Sequence, residues 1–375
     1  MKLTISQQQL AHGLGIVSRA VSPRSTLPVL NNILLATEEG RLRLSATNLE
    51  LGITSWIGAQ ITDEGSITLP ARIFSDLINT LPAKNVDLSL NTQTQAVNVH
   101  CGTSNFDIKG IDAQEFPPLL SPDLSSGVKL NAADFKEMIR QVSFAASTDE
   151  ARPVLQGVMM ELTGNKITLA ATDGFRISVR KATLSNPINN PVKVIIPARS
   201  LSELARIAID GSEIVTMVVP EGRGQVIFCL KDSELVSQLI EGNFPDYNAI
   251  IPRGFKTRTV LSTSEFLKAC KQTEIIARMG NNVIRLNIQP HEDEPGIVEF
   301  SSQSEEMGSG EVIKEATIEG PELLIAFNVH FLIELLDIID TPNLILETNA
   351  NNTPGMVSPV GDDSFKHIIM PMHLS

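Results

Sequence analysis

The sequence repeats one order of segments three times. The turn Ala46-Thr47-Asn48-Leu49-Glu50 in the first copy matches Ala171-Thr172-Asp173-Gly174 in the second, and Pro70-Ala71-Arg72 matches Pro197-Ala198-Arg199. A third, more diverged copy has Phe327-Asn328-Val329 at the latter position. Each copy is about 125–130 residues long, beyond the roughly 20–50 residues of solenoid repeats, so each copy is expected to form a whole domain.

Local patterns predict an α+β fold for each copy. Ser6 with Gln9, and Ser262 with Glu265, have the spacing of a helix capping box just before helical periodicity begins. Short apolar runs bounded by Gly, Asn or Pro predict strands, which are Ile33–Ala36, Leu42–Ala46, Val97–Val99, Ile167–Ala170, Val192–Ile196 and Val226–Leu230. We expect two inner helices packed on antiparallel outer sheets in each copy, with sheets that continue between copies. The predicted domains are residues 1–125, 126–254 and 255–375.

Composition excludes several protein classes. The chain has 375 residues with 42% hydrophobic content, which is enough for several cores. No apolar run approaches the roughly 18 residues of a membrane span, and the polar run Ser6-Gln7-Gln8-Gln9 lies where a signal peptide would be apolar. Cys101, Cys229 and Cys270 are few, odd in number and far apart, as is typical of a reducing compartment. We therefore expect a cytoplasmic protein.

The net charge of −13 and the pI of about 5.0 argue against a protein that simply coats nucleic acid. Basic residues nevertheless recur on the predicted helices, away from the apolar stripe. The stripe of the second copy is Phe135, Met138, Ile139 and Val142. The basic residues that are candidates for DNA binding are Arg19, Arg24, Arg72, Lys136, Arg140, Arg199, Arg206, Lys268 and Lys271. Ordinary solvated helix faces are the alternative explanation. One predicted helix, Phe331–Asp340, is an exception, because it carries Glu334, Asp337 and Asp340 but no base.

The sequence contains no motif that indicates catalysis. It lacks a phosphate-binding loop, a nucleophile elbow and a zinc-protease helix motif. The six histidines lie far apart, without the spacing of metal ligands. Asp173 could act as an acid or base, but the first copy has Asn48 at this position, which favours a role in the turn. We therefore predict no enzyme activity, no cofactor and no metal site.

Several motifs, in their order and spacing, resemble the bacterial DNA polymerase III beta subunit family, the replicative sliding clamps. They include Arg24-Ser25-Thr26-Leu27-Pro28-Val29-Leu30, Thr47-Asn48-Leu49-Glu50, Arg152-Pro153-Val154-Leu155-Gln156-Gly157, Ala171-Thr172-Asp173-Gly174-Phe175-Arg176, Glu241-Gly242-Asn243-Phe244-Pro245-Asp246-Tyr247 and Met370-Pro371-Met372. The resemblance covers the whole chain. It implies three tandem clamp domains forming a half-ring, and a head-to-tail homodimer that closes a six-domain ring around duplex DNA without reading its sequence.

The same resemblance implies partners and their site. The partners would be the replicative polymerase, a clamp loader and other replication or repair proteins carrying a Gln-Leu-x-Leu-Phe type motif, with no membrane involved. The implied peptide cleft is lined by Leu155, Thr172, Gly174, Phe175, Arg176, Ile177, Pro245, Ile250, Pro354, Met370, Pro371 and Met372. The chain departs from the family pattern at Phe175, where His or Tyr is frequent, and at His373, where a base is usual.

The resemblance also implies a dimer interface between Phe106 and Ile108 on one side and Ile275 and Ile276 on the other. Ordinary core packing is the alternative for these residues and for the apolar cleft residues. The expected function is that of a DNA polymerase processivity factor. A multi-domain scaffold without DNA encirclement, or a metabolic enzyme with a site between domains, remains an alternative at this point.

Overall fold

The computed structural model describes residues 1–22, 25–119, 123–124, 127–208 and 214–373. In the first copy, two helices and nine strands are described. They are β1 (Lys2–Ser6), α1 (Gln7–Val17), β2 (Asn32–Glu38), β3 (Arg41–Thr47), β4 (Leu51–Gly58), β5 (Gln60–Asp63), β6 (Ser66–Pro70), α2 (Ala71–Thr80), β7 (Asn85–Asn91), β8 (Ala96–Cys101) and β9 (Ser104–Lys109).

The next two copies have one common order of elements. In the second copy these are β10 (Val128–Asn131), α3 (Ala132–Ser143), β11 (Gly157–Thr163), β12 (Lys166–Thr172), β13 (Arg176–Thr183), β14 (Val192–Pro197), α4 (Ala198–Ile207), β15 (Ile214–Val218), β16 (Gln225–Cys229) and β17 (Ser233–Gln238). In the third they are β18 (Thr257–Ser262), α5 (Thr263–Ala277), β19 (Val283–Gln289), β20 (Gly296–Ser304), β21 (Gly308–Glu319), β22 (Leu323–Asn328), α6 (Val329–Leu336), β23 (Asn343–Thr348), β24 (Gly355–Pro359) and β25 (Phe365–Ile369). The first copy follows the same order and adds the short strand β5, so the predicted repeat is confirmed.

Contacts divide the chain into two compact units. The first comprises Met1–Lys136 and Ser200–Leu239, and the second comprises Glu137–Arg199 and Ile240–Ser375. The first unit holds a five-stranded sheet in the order β5-β1-β7-β8-β9 and an eight-stranded sheet in the order β10-β15-β16-β17-β4-β3-β2-β6. The second holds a twelve-stranded sheet in the order β14-β11-β12-β13-β25-β24-β23-β18-β21-β20-β19-β22. The domain boundaries read from the sequence stay a prediction.

The sheets continue from one copy to the next, as predicted. In the first unit β17 of the second copy pairs with β4 of the first copy, antiparallel. In the second unit β25 of the third copy pairs with β13 of the second copy, also antiparallel. Two copies are therefore joined through backbone hydrogen bonds at each of these positions, which we call the first and second strand junctions.

The helices follow their sequence patterns, with shifted ends. The apolar stripe of α3, given above, is buried, as are Leu10, Leu14 and Val17 of α1. The helix that the capping box at Ser6 indicates is α1, which is followed by a short 3₁₀ turn at Ser18–Ala20. The acidic helix predicted at 331–340 is α6, which begins two residues earlier and ends at Leu336.

The two predicted capping boxes have different outcomes. Ser6 caps α1, because its Oγ accepts a hydrogen bond from the Gln9 backbone N–H at 3.3 Å and donates to Gln9 Oε1 at 2.9 Å. At α5 the capping-box prediction is wrong. Ser262 makes no side-chain capping bond, and Glu265 instead binds Lys268 and Lys314, which lowers the pKa of its carboxyl to about 2.

The predicted strand runs lie within β2, β3, β8, β12, β14 and β16, except that Leu230 follows the end of β16. All three cysteines are free thiols. Among the described residues, no helix is long and apolar enough to cross a membrane.

Candidate functional site

A cavity of about 90 Å³ opens beside the second strand junction. It lies within the second unit, and its walls come from distant parts of the chain. The lining residues are Leu155, Thr172, Gly174, Phe175, Arg176, Ile177, Pro245, Tyr247, Ile250, Ile368 and Met370. Nine of the twelve residues predicted for the cleft are therefore brought together here.

Three predicted cleft residues, Pro354, Pro371 and Met372, are half-buried but do not line the cavity. Two lining residues were missed. Tyr247 stands two residues after Pro245 in a quoted motif, so the motif held a usable signal. Ile368 stands two residues before Met370, and strand alternation places such residues on one face.

The turn between β12 and β13 forms one wall. Thr172 Oγ1 donates to the Arg176 carbonyl at 2.7 Å and accepts from the Gly174 N–H at 3.0 Å. Asp173 Oδ1 accepts from the backbone N–H groups of Phe175 and Arg176, at 2.8 and 3.0 Å. These bonds make a tight side-chain-closed turn, so the predicted turn role of Asp173 is confirmed. Gly174 has φ of +96°, a conformation that favours glycine.

The tail of the chain forms the wall beside this turn. The Met370 N–H donates to the Phe175 carbonyl at 2.8 Å, which continues the pairing of β25 with β13. The Met372 N–H donates to the Ala326 carbonyl at 2.8 Å, which fixes the backbone that follows Met370. Phe175 itself is 61% exposed at the edge of the cavity. The aromatic ring of Phe175 is thus exposed to solvent, while its backbone N–H and carbonyl are both hydrogen-bonded.

Arg176 lies beneath the cavity and is only 6% exposed. Its guanidinium binds Asp173 at 3.1 Å and Glu334 at 2.5 Å, and donates to the Phe144 carbonyl at 3.1 Å. It also lies over the rings of Phe144 and Phe331, at 5.1 and 4.3 Å from their centroids. The charge of Arg176 is therefore already paired within the chain, and its contribution to the cavity is one of shape and support.

His367 lies deeper in the same junction and is fully buried. Its Nδ1 is 2.7 Å from Ser178 Oγ, and its ring stacks on Phe144. Burial first, and the nearby charge of Arg176 second, lower the pKa of His367 to about 3. The imidazole is therefore neutral at physiological pH. The sequence carries no signal of this position, because His367 is one of six histidines without metal-ligand spacing.

The chemistry of this cavity suits apolar anchors. Leucine, isoleucine, methionine and aromatic side chains make up most of its lining, and its one charged group is paired. Methionine and exposed aromatic side chains adapt to differently shaped apolar side chains. A small apolar groove of this kind is typical of sites that accept a few residues of an extended peptide.

The basic residues predicted to bind DNA lie on the helices or just beyond their ends. Arg24 lies outside the described residues. Arg72, Lys136, Arg199, Arg206 and Lys268 are exposed, and Arg140 is half-buried. Most of these bases have a carboxylate within 4 Å, and the pairs are Arg19–Glu203, Arg72–Asp76, Arg140–Glu137, Arg140–Asp340, Arg206–Glu203, Lys268–Glu265 and Lys271–Asp337. Lys136 and Arg199 form no ion pair with any residue that the structure describes.

The predicted interface residues differ in exposure. Phe106 on β9 is 47% exposed, and Ile275 on α5 is 57% exposed. Ile276 is half-buried. Ile108 is only 8% exposed, as the core-packing alternative describes. β9 is an end strand of the five-stranded sheet.

No metal centre emerges from the side chains that the structure describes, since none of them form a group of three or more His, Cys, Asp or Glu suited to hold an ion.

Comparison with known proteins identifies the family. Residues 1–121, 129–246 and 248–373 match the models for the N-terminal, central and C-terminal domains of the DNA polymerase III beta subunit. The chain belongs to the DNA polymerase III beta subunit family. Because this family comprises the sliding clamps, the predicted function is confirmed: the protein is a non-catalytic processivity factor of DNA polymerase. Neither the scaffold nor the metabolic enzyme is supported.

Individual relatives agree along the whole chain. The beta sliding clamp of Synechococcus elongatus is 34% identical over 380 residues, with all of both chains covered. That of Bacillus subtilis is 32% identical over 382 residues, with 99% of both covered. The crystal structure of the Bacillus subtilis sliding clamp superposes with a TM-score of 0.94 at 31% identity over the whole of both chains. A Pseudomonas aeruginosa clamp bound to griselimycin has a TM-score of 0.92 at 27% identity, again over the whole of both.

Proposed function

We propose that this clamp tethers its partners through the cavity beside the second strand junction. The observation that carries the proposal is the convergence of nine predicted cleft residues on one apolar cavity. The ligand would be an extended peptide of the Gln-Leu-x-Leu-Phe type, carried by the replicative polymerase, the clamp loader and other replication or repair proteins. Its Leu and Phe side chains would enter the cavity, with Phe175 packing against them from the edge.

A titration with matched variants tests this site. A fluorescent Gln-Leu-x-Leu-Phe peptide would be titrated against the wild type, Leu155→Ala and Leu324→Ala. Leu155 lines the cavity, whereas Leu324 is exposed on β22 and does not. We expect Leu155→Ala to weaken binding about tenfold, since a lost apolar anchor contact is worth roughly 1–3 kcal/mol, and Leu324→Ala to leave it unchanged. Equal affinities for both variants would contradict the placement of the site.

We further propose that two chains form a closed head-to-tail ring around duplex DNA in the cytoplasm, with the helices facing the DNA. Exposed apolar side chains on β9 and α5 support the interface, because Phe106 and Ile275 leave apolar surface uncovered in the single chain. Contacts to phosphates alone would leave the ring free to slide, since they carry no sequence information.

The interface is tested by the mass of the protein in solution. Ile275→Lys places a charge on an exposed position, so the fold should tolerate it, while a dimer that buries this side chain should dissociate to monomers. Ile214→Lys is the matched control, because Ile214 is as exposed but lies on β15, outside the predicted interface. The interface would lie elsewhere if Ile275→Lys sedimented, like the control, with the mass of a dimer.

A further inference from the structure

The acidic helix noted in the sequence has a specific set of partners. Asp337 Oδ1 is 3.0 Å from Lys271 Nζ, and Asp340, beyond the end of α6, binds Arg140. Glu334 binds Arg176, as described above. Each carboxylate of this segment therefore pairs with a cation from another element, and Lys271 and Arg140 both belong to the predicted DNA-binding set.

A similar arrangement occurs in the first unit. Glu203 on α4 binds Arg19 at 3.1 Å and Arg206 at 2.8 Å, and its side chain is only 11% exposed. Both arginines are predicted to bind DNA. Eight of the basic residues predicted to bind DNA are described by the structure. Four of these eight, Arg19, Arg140, Arg206 and Lys271, therefore pair with three carboxylates, which are Glu203, Asp337 and Asp340.

We propose that these three carboxylates are built-in counter-ions that weaken the attraction between the clamp and DNA. This inference rests on the proposed encirclement of DNA. An ion pair has no net charge and attracts a phosphate less than an unpaired Lys or Arg does, and its carboxylate repels the phosphate at close range. These three carboxylates weaken half of the described basic residues of the set, and Arg72 and Lys268 have carboxylates of their own, whereas Lys136 and Arg199 form no ion pair with any described residue. The DNA surface thus attracts phosphates weakly enough for the ring to slide.

The three carboxylates differ in how readily a phosphate can replace them. The pairs of Asp337 and Asp340 are open to water, with carboxylates 50% and 78% exposed, and such pairs contribute little to stability. A DNA phosphate can displace these two at small cost. Glu203 is nearly buried, and leaving it unpaired would be costly, so Arg19 and Arg206 stay with it. Asp337 and Asp340 are therefore the exchangeable counter-ions.

The test compares two variants with the same change in charge. Asp337→Asn with Asp340→Asn releases Lys271 and removes one of the two carboxylates that hold Arg140, which stays paired with Glu137. Asp63→Asn with Asp293→Asn removes two exposed carboxylates that form no ion pair with any described residue. Binding of each dimer to a short fluorescent linear duplex would be followed by anisotropy between 50 and 200 mM salt. A linear duplex is used because its open ends let a closed ring thread onto it.

We expect the first variant to bind more tightly at low salt and to show a steeper salt dependence than the control. One additional phosphate contact, made by Lys271, steepens the slope of log K against log salt by about 0.9, so the advantage of this variant shrinks roughly threefold to fourfold over this salt range. Equal slopes for the two double variants would overturn the inference.

A further variant separates this inference from the proposed function. Lys136→Ala with Arg199→Ala removes two basic residues that form no ion pair with any part of the chain that the structure describes, so the proposed DNA surface requires this variant to bind more weakly than the wild type. If this loss is seen while the two aspartate variants agree, only the counter-ion role fails. If the variant binds as the wild type does, the DNA surface fails and the inference fails with it.

Discussion

The two strand junctions have the same backbone and different side chains. In the second junction the Met370 N–H donates to the Phe175 carbonyl at 2.8 Å, and in the first the Gln238 N–H donates to the Glu50 carbonyl at the same distance. The adjacent turns are also closed alike. Asn48 Oδ1 accepts two backbone N–H groups, as Asp173 Oδ1 does.

The interiors of the two junctions differ in polarity. At one position in the first junction Leu235 pairs across the strands with Ile53, and both are fully buried. The corresponding pair in the second junction is His367 with Ser178, joined by a hydrogen bond. One register of strand pairing therefore accommodates either an apolar contact or a buried polar network.

The surfaces beside the junctions differ in filling. In the first, Gly52 leaves room for Leu119, whose Cδ2 lies only 2.8 Å from where a Cβ on that glycine would stand. In the second, the position of Gly52 is taken by Ile177 and that of Leu119 by Tyr247, and both of these line the cavity. The repeated backbone thus sets where a cavity can form, while single side chains determine whether it is filled from within.

The largest effect is expected from giving the second junction the side chain of the first at Arg176. The position of Arg176 corresponds to Leu51 in the first junction. Arg176→Leu leaves Asp173, which is largely buried, without its partner, and we expect the free energy of unfolding to fall by about 3 kcal/mol. Urea unfolding of the dimer measures this loss in the free energy of unfolding. Arg72→Leu, which removes an exposed pair with Asp76, should cost at most about 1 kcal/mol. Equal losses would show that the polar network of the second junction stabilises no more than a surface pair.

A smaller effect is expected from pH, and only at the second junction. In the unfolded chain His367 binds a proton below its ordinary pKa of about 6.5, whereas the folded protein resists protonation down to a pKa of about 3. Acidification from 6.5 therefore favours the unfolded state, by up to about 1.4 kcal/mol per pH unit. The contribution of His367 to stability is fully present above pH 6.5.

The matched variant replaces this polar pair with apolar side chains like those of the first junction. His367→Leu with Ser178→Ala should flatten the decline of the unfolding midpoint between pH 7 and pH 5, and the difference between the two profiles isolates His367 from other titrating groups. Parallel profiles would mean that His367 is protonated equally in both states.

The smallest effect concerns the two equivalent turns. Leu49 has φ of +76°, at the position where the second turn has Gly174. Because a leucine is strained in this conformation and Leu49 is half exposed, we expect Leu49→Gly to raise the free energy of unfolding by about 0.5–1 kcal/mol. The reverse change, Gly174→Ala, should lower it by about 1 kcal/mol. Thermal unfolding of both variants checks the pair, and a loss of stability in Leu49→Gly would contradict the strain.

Much of the fold was predictable because its signals are local. The stripe of α3, the cap at Ser6 and the turn at Asp173 each depend on residues within one or two helical turns or within a few positions. The failed capping box at Ser262 shows the limit of such signals. Glu265 has the right spacing for a cap, but Lys314, 49 residues away, binds its carboxylate instead.

Three repeated α+β domains, their helices and most of their strands follow from the sequence alone. The class of protein and nine of the residues that line the cavity follow from its resemblance to the family. The partners of the charged groups, by contrast, depend on the tertiary structure. Arg176 meets Glu334 across 158 positions, and Arg19 meets Glu203 across 184. Periodicity cannot predict such pairs, because they form only after strand register and helix packing have brought distant segments together.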